Sequence, residues 1–203
     1  MLHINSESIE KMESRYQANL FNTISGFKSA NLIGTADNNG KTNLAIFNSV
    51  IHIGAKPPYL GFILRPTTVE RHTYENIKET NYYTLNHVHE SFIAQAHQTS
   101  AKYDREVSEF KACGFEEEYL DNFHPPYVKE SKIKLGLQFE EEHLIKANDT
   151  ILVIGKILHA YLDEKLISKD GSVDISEAGT VTISGLYEYL KTTKLEKFKY
   201  AKP

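Results

Sequence analysis

The chain has 203 residues, with 23 Lys and Arg against 27 Asp and Glu, a net charge of −4 and no tryptophan. Because the acidic and basic residues are interspersed, the chain lacks the basic face that binding to a nucleic acid backbone or an anionic membrane surface requires, so we expect neither as a partner. The only cysteine, Cys113, excludes an intrachain disulfide and argues against a thiolate metal site.

The sequence shows no division into parts. It contains no repeat, low-complexity tract or Pro/Gly/Ser-rich linker, so we predict a single domain over residues 1–203. Residues 1–10 lack the basic region and apolar run of a secretory signal, and no apolar segment has the length of a membrane span. We therefore expect a cytoplasmic protein.

The first predicted elements are a helix and a β-hairpin. Apolar residues recur at helical spacing over residues 6–22. Residues 31–36 form a predicted strand that ends at the sequence DNNG, and Asn-Gly between apolar runs is a strong hairpin signal. The partner strand, over residues 42–53, is mostly apolar on both faces, as expected in a closed or doubly covered sheet.

The later elements are mostly strands, with helices inserted between some of them. The predicted strands cover residues 59–64, 82–88, 132–145, 150–162 and 180–190, and two of the predicted helices cover residues 91–98 and 104–112. Six or seven strands with hairpin-like connections favour an antiparallel barrel with helical additions over a parallel doubly wound sheet. The lysine-rich tail, residues 191–203, is predicted to be loosely held.

Residues 65–77 (RPTTVERHTYENI) concentrate cations and hydroxyl groups where a strand leads into a helix. Residues 67–70 have the spacing of a capping box, and a helix start offers free backbone N–H groups to an anion. The side chains that could add hydrogen bonds to a phosphate there are Arg65, Thr67, Thr68, Arg71, His72 and Thr73. The alternative is that the threonines cap the helix while the arginines are solvated. No GxGxxG or GxxxxGK[ST] sequence is present, so a phosphate would not bind through those loops.

Polar side chains also interrupt two of the apolar strands. Asn48 and Ser49 lie in the middle of the strand predicted over residues 42–53, and Asn86 lies in the next strand but one. Buried amides and hydroxyls need partners. These three side chains therefore either bond to neighbouring backbone or point at the polar edge of a ligand.

Two histidines two residues apart raise the possibility of a metal site. His87 and His89 would lie on the same face of a strand, but His89 is at the strand end and no third ligand is evident. We therefore expect ordinary core or surface histidines and no metal. Cys113, at the end of a predicted helix, is expected to be a small buried residue.

Several short motifs, in this order and spacing, resemble the flavin reductase-like family. They are residues 43–50 (NLAIFNSV), 56–62 (KPPYLGF), 65–66 (RP), 72–77 (HTYENI), 83–86 (YTLN), 108–110 (SEF), 114–115 (GF), 128–131 (VKES) and 185–189 (GLYEY). The similarity covers about residues 25–190. One departure is that many relatives carry a cysteine in the strand after the VKES position, where this chain has Leu135-Gly136-Leu137.

The resemblance implies a fold, a cofactor and an activity. The fold is a six-stranded, antiparallel Greek-key split β-barrel that binds FMN. Residues 48–50, which include Val50, would lie along the flavin ring, the segment from Arg65 to Thr73 would hold the phosphate, and Asn86 would be close by. The family also implies a homodimer with FMN near the interface, and hydride transfer from NAD(P)H to flavin or another small acceptor.

Other functions stay open from the sequence. The chain could be an FMN-binding electron-transfer protein or a reductase of another small organic substrate. It could also be a non-enzymatic β-barrel that binds a different ligand. No catalytic acid or base is assigned, because in flavin chemistry the cofactor performs the redox step.

Overall fold

The computed structural model describes residues 1–202 and begins with two helices. These are α1 (Ser6–Glu10) and α2 (Ser14–Ile24), where the sequence predicts one helix over residues 6–22. The carboxylate of Glu13 accepts hydrogen bonds from two backbone N–H groups in the first turn of α2. This carboxylate caps a new helix within the predicted one, and the prediction of a single helix is therefore wrong.

Seven antiparallel strands form the main sheet, which has the split-barrel fold. Its strands are β2 (Asn31–Ala36), β3 (Thr42–Phe47), β4 (Ile51–Ala55), β5 (Pro58–Leu64), β6 (Tyr82–His87), β9 (Lys134–Ile145) and β10 (Thr150–Tyr161). They are arranged in the order β3-β2-β6-β9-β10-β5-β4. The predicted fold class is confirmed, with one strand more than the six expected.

The additional strand arises because the segment predicted as one strand over residues 42–53 is broken. β3 pairs with β2, whereas β4 pairs with β5, so the chain changes neighbours at residues 48–50. At this break the Asn48 amide nitrogen donates to the carbonyl of Gly185 at 3.0 Å. The hydroxyl of Ser49 accepts from the N–H of Ile63 at 3.2 Å and donates to its carbonyl at 3.0 Å. Asn48 and Ser49 therefore connect the break by hydrogen bonds to Gly185 and to Ile63 of β5.

The C-terminal part forms a second small sheet. The strand predicted over residues 180–190 is a hairpin of two strands, because Gly185 turns the chain with a φ of 60°. The members of this sheet are β1 (Lys28–Ser29), β11 (Val181–Ser184) and β12 (Glu188–Lys191), in the order β1-β11-β12. A separate two-stranded sheet pairs β7 (Glu117–Glu118) with β8 (Tyr127–Val128).

The remaining helices are α3 (His72–Thr80), α4 (Ile93–Gln98), which follows a 3-10 turn (Glu90–Phe92), and α5 (Glu109–Ala112); a second 3-10 turn covers Glu164–Leu166. Of these helices, α4 and α5 are shorter than the segments predicted for them over residues 91–98 and 104–112. The helix predicted over residues 104–112 is therefore reduced to its last turn. None of the helices within residues 1–202 has both the length and the apolar character needed to cross a membrane.

The tail after β12 has no helix or strand over residues 192–202. It nevertheless contacts the connection between β10 and β11. Lys194 forms an ion pair with Asp174, and Lys197 forms one with Asp170. Solvent and salt screen exposed ion pairs of this kind, so they add little to stability, and the loosely held tail stays a prediction.

Two apolar clusters form most of the core. One packs β2 and β3 against α4, α5 and the β11–β12 hairpin, and it includes Cys113, which is 7% exposed. The other fills the barrel interior; its buried members are Ile33, Phe62, Leu64, Ile77, Tyr83, Leu85, Leu137 and Val153.

Tyr83 fits into the barrel interior because the residue facing it is a glycine. A Cβ atom at Gly155 would lie 2.1 Å from the Tyr83 hydroxyl oxygen, which is far inside contact distance. That hydroxyl is buried and has no hydrogen-bond partner within the described chain.

Candidate functional site

A cavity of about 850 Å³ opens where four connections meet. Its walls are the β3–β4 break, the connection from β5 to α3, the loop after α4 and the β11–β12 hairpin. Cavities of roughly 300–1,000 Å³ are typical of small-molecule and cofactor sites. The cavity is therefore the candidate functional site.

One end of the cavity carries positive charge. Arg65, Arg71 and His72 line it, and we call these three residues the cationic corner. Within residues 1–202, neither arginine has a carboxylate within 4 Å; the Arg71 Nε instead donates to the carbonyl of Pro66 at 3.2 Å. The imidazole of His72 lies 3.7 Å from Glu70, whose side chain is 84% exposed. The guanidinium groups are therefore largely free to bind an anion.

The same corner contains the start of α3, and no side chain caps it. The N-cap residue is Arg71, whose side chain makes no capping hydrogen bond, although its own N–H donates to Glu75 at 3.1 Å. The predicted capping box over residues 67–70 is therefore wrong: the helix starts at His72. Its first turn keeps backbone N–H groups that have no intrahelical acceptor. These N–H groups and the positive end of the helix dipole favour an anion.

The predicted threonines occupy different positions. Thr73 is buried and lines the cavity, and its hydroxyl accepts a hydrogen bond from the Asn43 amide at 3.0 Å. Thr67 and Thr68 are exposed and do not line the cavity. The structure therefore brings Thr73, but not Thr67 or Thr68, to the site.

Arg105 was not predicted from the sequence, yet it connects the loop after α4 to the start of α3. One guanidinium nitrogen forms an ion pair with Glu75. The other donates to the side-chain oxygen of Asn76 at 3.1 Å. Since Glu75 also accepts from the Arg71 N–H, Arg105 holds the loop against the cationic corner. No sequence pattern relates residues 75 and 105, so this pairing could not have been found before the fold was known.

Acidic residues in the cavity wall are either solvated or bonded to backbone. Glu70 and Asp104 are exposed. Glu109 is 6% exposed, and its carboxylate accepts a hydrogen bond from the N–H of Leu44 at 3.0 Å. Burial raises the pKa of the Glu109 carboxyl. The folded state therefore disfavours the charged form of the Glu109 carboxyl relative to the neutral form.

The β3–β4 break supplies the adjoining wall. Asn48 and Ser49 line the cavity, and their side chains make the backbone contacts described above. Because the Asn48 amide uses its nitrogen in the bond to Gly185, its carbonyl oxygen is left as an acceptor. Val50 does not line the cavity; it packs against the barrel interior.

Asn86 lies in the core beside β8, on the face of β6 opposite Tyr83, and not at the cavity. It is fully buried, and its amide nitrogen donates to the carbonyl of Leu32 at 3.2 Å and to the hydroxyl of Thr84 at 3.0 Å. Its side-chain oxygen accepts from the N–H of Val128 at 3.0 Å. The polar atoms of this amide are therefore occupied by the protein itself.

Three rings from distant parts of the sequence form another side of the cavity. His97 on α4 packs edge-to-face against Tyr187 and Tyr189 of the hairpin, with ring centroids 6.1 and 5.8 Å apart. His97 Nδ1 and the Tyr189 hydroxyl are 3.0 Å apart. We call these three residues, all of which line the cavity, the aromatic wall. The sequence analysis missed it because α4 and the hairpin are about 90 residues apart.

His87, at the end of β6, and His89, just beyond it, do not form part of a metal cluster. Within residues 1–202, no group of three or more His, Cys, Asp or Glu side chains could hold a metal ion. His87 lies 3.3 Å from the Thr180 hydroxyl, and burial lowers its pKa to about 4. His89 Nδ1 accepts from the N–H of Ser91 at 3.1 Å. The His87 contact joins β6 to the segment before β11, whereas His89 caps the 3-10 turn that follows it.

Comparisons with known proteins agree with this fold and site. Residues 24–175 match the family model described as flavin reductase like domain. A search of curated proteins found no match. Among solved structures, a protein from Shewanella frigidimarina NCIMB 400, assigned as a flavin reductase with a split barrel domain, superimposes with a TM-score of 0.95 at 48% identity over 99% of this chain and 100% of that chain.

Two more distant structures share the fold. Nitrilotriacetate monooxygenase component B from Bacillus cereus has a TM-score of 0.83 at 18% identity, with 98% of each chain covered. An FMN-binding protein from Thermus thermophilus, solved with bound 1-cyclohex-2-enone, has a TM-score of 0.71 at 17% identity, covering 86% of this chain and 90% of that chain.

The split barrel and its cavity thus define a class of flavin-related oxidoreductases. The chain belongs to the flavin reductase-like family, as the sequence motifs predict.

Proposed function

We propose that this protein binds FMN in the cavity and acts as an NAD(P)H-dependent flavin reductase. In this function, hydride passes from the nicotinamide to the bound flavin, and electrons then pass to another flavin or a small acceptor. The family membership of the chain and the chemistry of the cavity support the proposal.

The observation that carries the proposal is the cationic corner at the uncapped start of α3. Two guanidinium groups without carboxylate partners lie beside free N–H groups of a helix start. This donor set matches a phosphate monoester, because guanidinium groups bind phosphate oxygens in pairs and a helix start adds further donors. The residues proposed to hold the phosphate are Arg65, Arg71, His72 and Thr73.

The β3–β4 break would hold the ring of the cofactor. The free carbonyl oxygen of Asn48 can accept a hydrogen bond from the polar edge of a flavin, whereas Ser49 positions the segment through its two bonds to Ile63. Asn86 is left out of the proposed set because its amide is already bonded within the core.

Bound flavin would supply the redox chemistry of the reaction. The protein's own residues bind and orient the cofactor, and no side chain is assigned as an acid or base. Arg105 acts indirectly, because its ion pair with Glu75 holds the loop after α4 beside the cationic corner.

The proposal includes a homodimer. β4 is one of the two edge strands of the main sheet, and its Ile51 and Ile53 side chains are 44% and 41% exposed. An exposed apolar edge strand is usually covered by another chain or by other structure. Sedimentation velocity is expected to give twice the mass of one chain, and a monomer at micromolar concentration would contradict this part of the proposal. The cytoplasmic location stays a prediction.

Titration of the purified protein with FMN tests the phosphate assignment. A charge-assisted hydrogen bond is worth about 1.5–3 kcal/mol, so Arg71→Ala is expected to weaken FMN binding roughly 10- to 100-fold. Thermal unfolding of the FMN-free protein should change little. Arg15→Ala, which removes the same charge from the exposed face of α2, is the matched control and should bind FMN like the wild type. Equal FMN affinities for Arg71→Ala and Arg15→Ala would refute the assignment.

A further inference from the structure

The aromatic wall differs from the cationic corner in its chemistry. Its three rings come from α4 and the β11–β12 hairpin, and none of them carries a fixed charge. Tyr187 is 61% exposed although it is a large aromatic residue at the cavity. An exposed ring beside a cavity is a surface on which another flat ring can pack.

The contact between His97 Nδ1 and the Tyr189 hydroxyl leaves the other ring nitrogen of the imidazole, Nε2, for a further hydrogen bond. Burial raises the pKa of the Tyr189 hydroxyl to about 12, so this group stays protonated at neutral pH. Within residues 1–202, its only hydrogen-bond partner is His97 Nδ1, at 3.0 Å. We assign the tautomer in which the hydroxyl donates to Nδ1, so that the proton of the neutral imidazole is on Nε2.

His97 Nε2 is thus an N–H donor without an acceptor. No hydrogen bond or ion pair joins this atom to another group in the described part of the chain. His97 is partly buried and lines the cavity, so an acceptor for this donor can come from a molecule inside the cavity.

We propose that the aromatic wall is the subsite for the molecule that exchanges electrons with the flavin. The ligand class is a flat conjugated ring that carries a carbonyl oxygen, with the ring packed against Tyr187 and the oxygen accepting a hydrogen bond from His97 Nε2. Tyr189 is a positioning residue, because it holds the imidazole in the tautomer that donates. This inference rests on the proposed function and assigns a specificity-determining residue within it.

The wall suits an uncharged ring better than a second phosphate. Its three side chains offer aromatic surface and one neutral donor, whereas the arginines without ion pairs at this cavity belong to the corner built by the β5–α3 connection. A nicotinamide with its carboxamide and a quinone share the required chemistry. The test must therefore separate an electron donor from an electron acceptor.

The test compares His97→Phe with His97→Gln in the FMN-loaded protein. Phenylalanine keeps a ring against Tyr187 but has no donor, whereas glutamine keeps an N–H donor at a similar reach. Calorimetric titrations would use tetrahydro-NAD(P)H, which cannot transfer hydride, and tetramethyl-benzoquinone. Loss of one hydrogen bond predicts roughly 5- to 10-fold weaker binding of the true ligand by His97→Phe, with recovery in His97→Gln. The affinity for FMN and the unfolding temperature are measured for both variants as controls.

Each outcome decides the inference. Weaker binding of the dinucleotide alone identifies the wall as the electron-donor subsite, and weaker binding of the quinone alone identifies it as the acceptor subsite. Unchanged binding of both ligands overturns the inference, and so does an equal loss of FMN affinity, which would assign His97 to the flavin. Failure of the wild-type protein to bind FMN would refute the proposed function as well. Titration of FMN before the other ligands separates these two failures.

Discussion

The buried core and the cavity place similar polar side chains in different bonding environments. Asn86 and Asn48 are both amides within segments predicted as apolar strands, and the sequence suggests the same role for both. In the core, Asn86 makes three hydrogen bonds with its own chain. At the cavity, Asn48 makes one and keeps a free acceptor. A polar residue in a strand is therefore a candidate for ligand binding only when the fold leaves it incompletely bonded.

Of the substitutions that test this comparison, Asn86→Ala has the largest expected effect on the free energy of unfolding. Asn86→Ala would leave the buried N–H of Val128 without an acceptor, which costs about 1–3 kcal/mol in addition to the other lost bonds. We expect a loss of about 2–4 kcal/mol in the free energy of unfolding, measured with urea.

Asn48→Ala is the matched variant at the cavity. It loses one bond to the Gly185 carbonyl, so its unfolding free energy should fall by only about 1 kcal/mol, while its affinity for FMN should also fall. If both substitutions had the same effect on stability, the distinction between core and cavity would be lost.

His87 gives an intermediate effect that depends on pH. Burial lowers its pKa to about 4 in the folded protein, against about 6.5 in an unfolded chain. The unfolded chain therefore binds the extra proton between these values, so stability is lost as the pH falls below 6.5. At pH 5 the loss amounts to about 2 kcal/mol relative to pH 7.

His87→Gln removes this proton-binding group and should show a smaller loss of stability between pH 7 and pH 5. Other titrating groups, including His89, are common to both proteins and cancel in the comparison. Urea unfolding at the two pH values measures the difference. Parallel pH profiles for the two proteins would show that His87 is not buried as described.

Tyr83 gives the smallest effect and is an exception within the buried core. Its hydroxyl is buried without a partner, so Tyr83→Phe removes an uncompensated desolvation cost. We expect the variant to be more stable by about 1 kcal/mol, as measured by thermal or urea unfolding.

Tyr74→Phe is the control for the predicted direction of the change in stability. The Tyr74 hydroxyl donates to Glu142 at 3.0 Å, so removing it should destabilise the protein slightly. A loss of stability in Tyr83→Phe as large as in Tyr74→Phe would mean that the Tyr83 hydroxyl has a partner, such as a buried water.

Local patterns were sufficient for much of the fold. β2 has the predicted bounds, and β9 and β10 lie within the segments predicted for them, because turn residues and apolar alternation mark them directly. The family motifs, which follow one another in the expected order along the chain, predicted the fold class. The concentration of cations over residues 65–73 also indicated one end of the cavity before the structure was known.

The features that the sequence could not reveal depend on contacts between distant residues. The break at residues 48–50 occurs because the chain exchanges β2 for β5 as its neighbour. The ion pair of Arg105 with Glu75 and the contact of His97 with Tyr189 span about 30 and 90 residues. Periodicity and capping rules describe only near neighbours in the sequence, so they carry no information on these pairs.

The single buried thiol makes the molecule suitable for a fluorescent label. Cys113 is 7% exposed and burial raises its pKa, so it should react slowly with maleimide dyes. A cysteine introduced by Lys102→Cys, at an exposed position of the cavity wall, would then be labelled selectively. Because residue 102 lines the cavity, the dye would report occupancy of the cavity in real time.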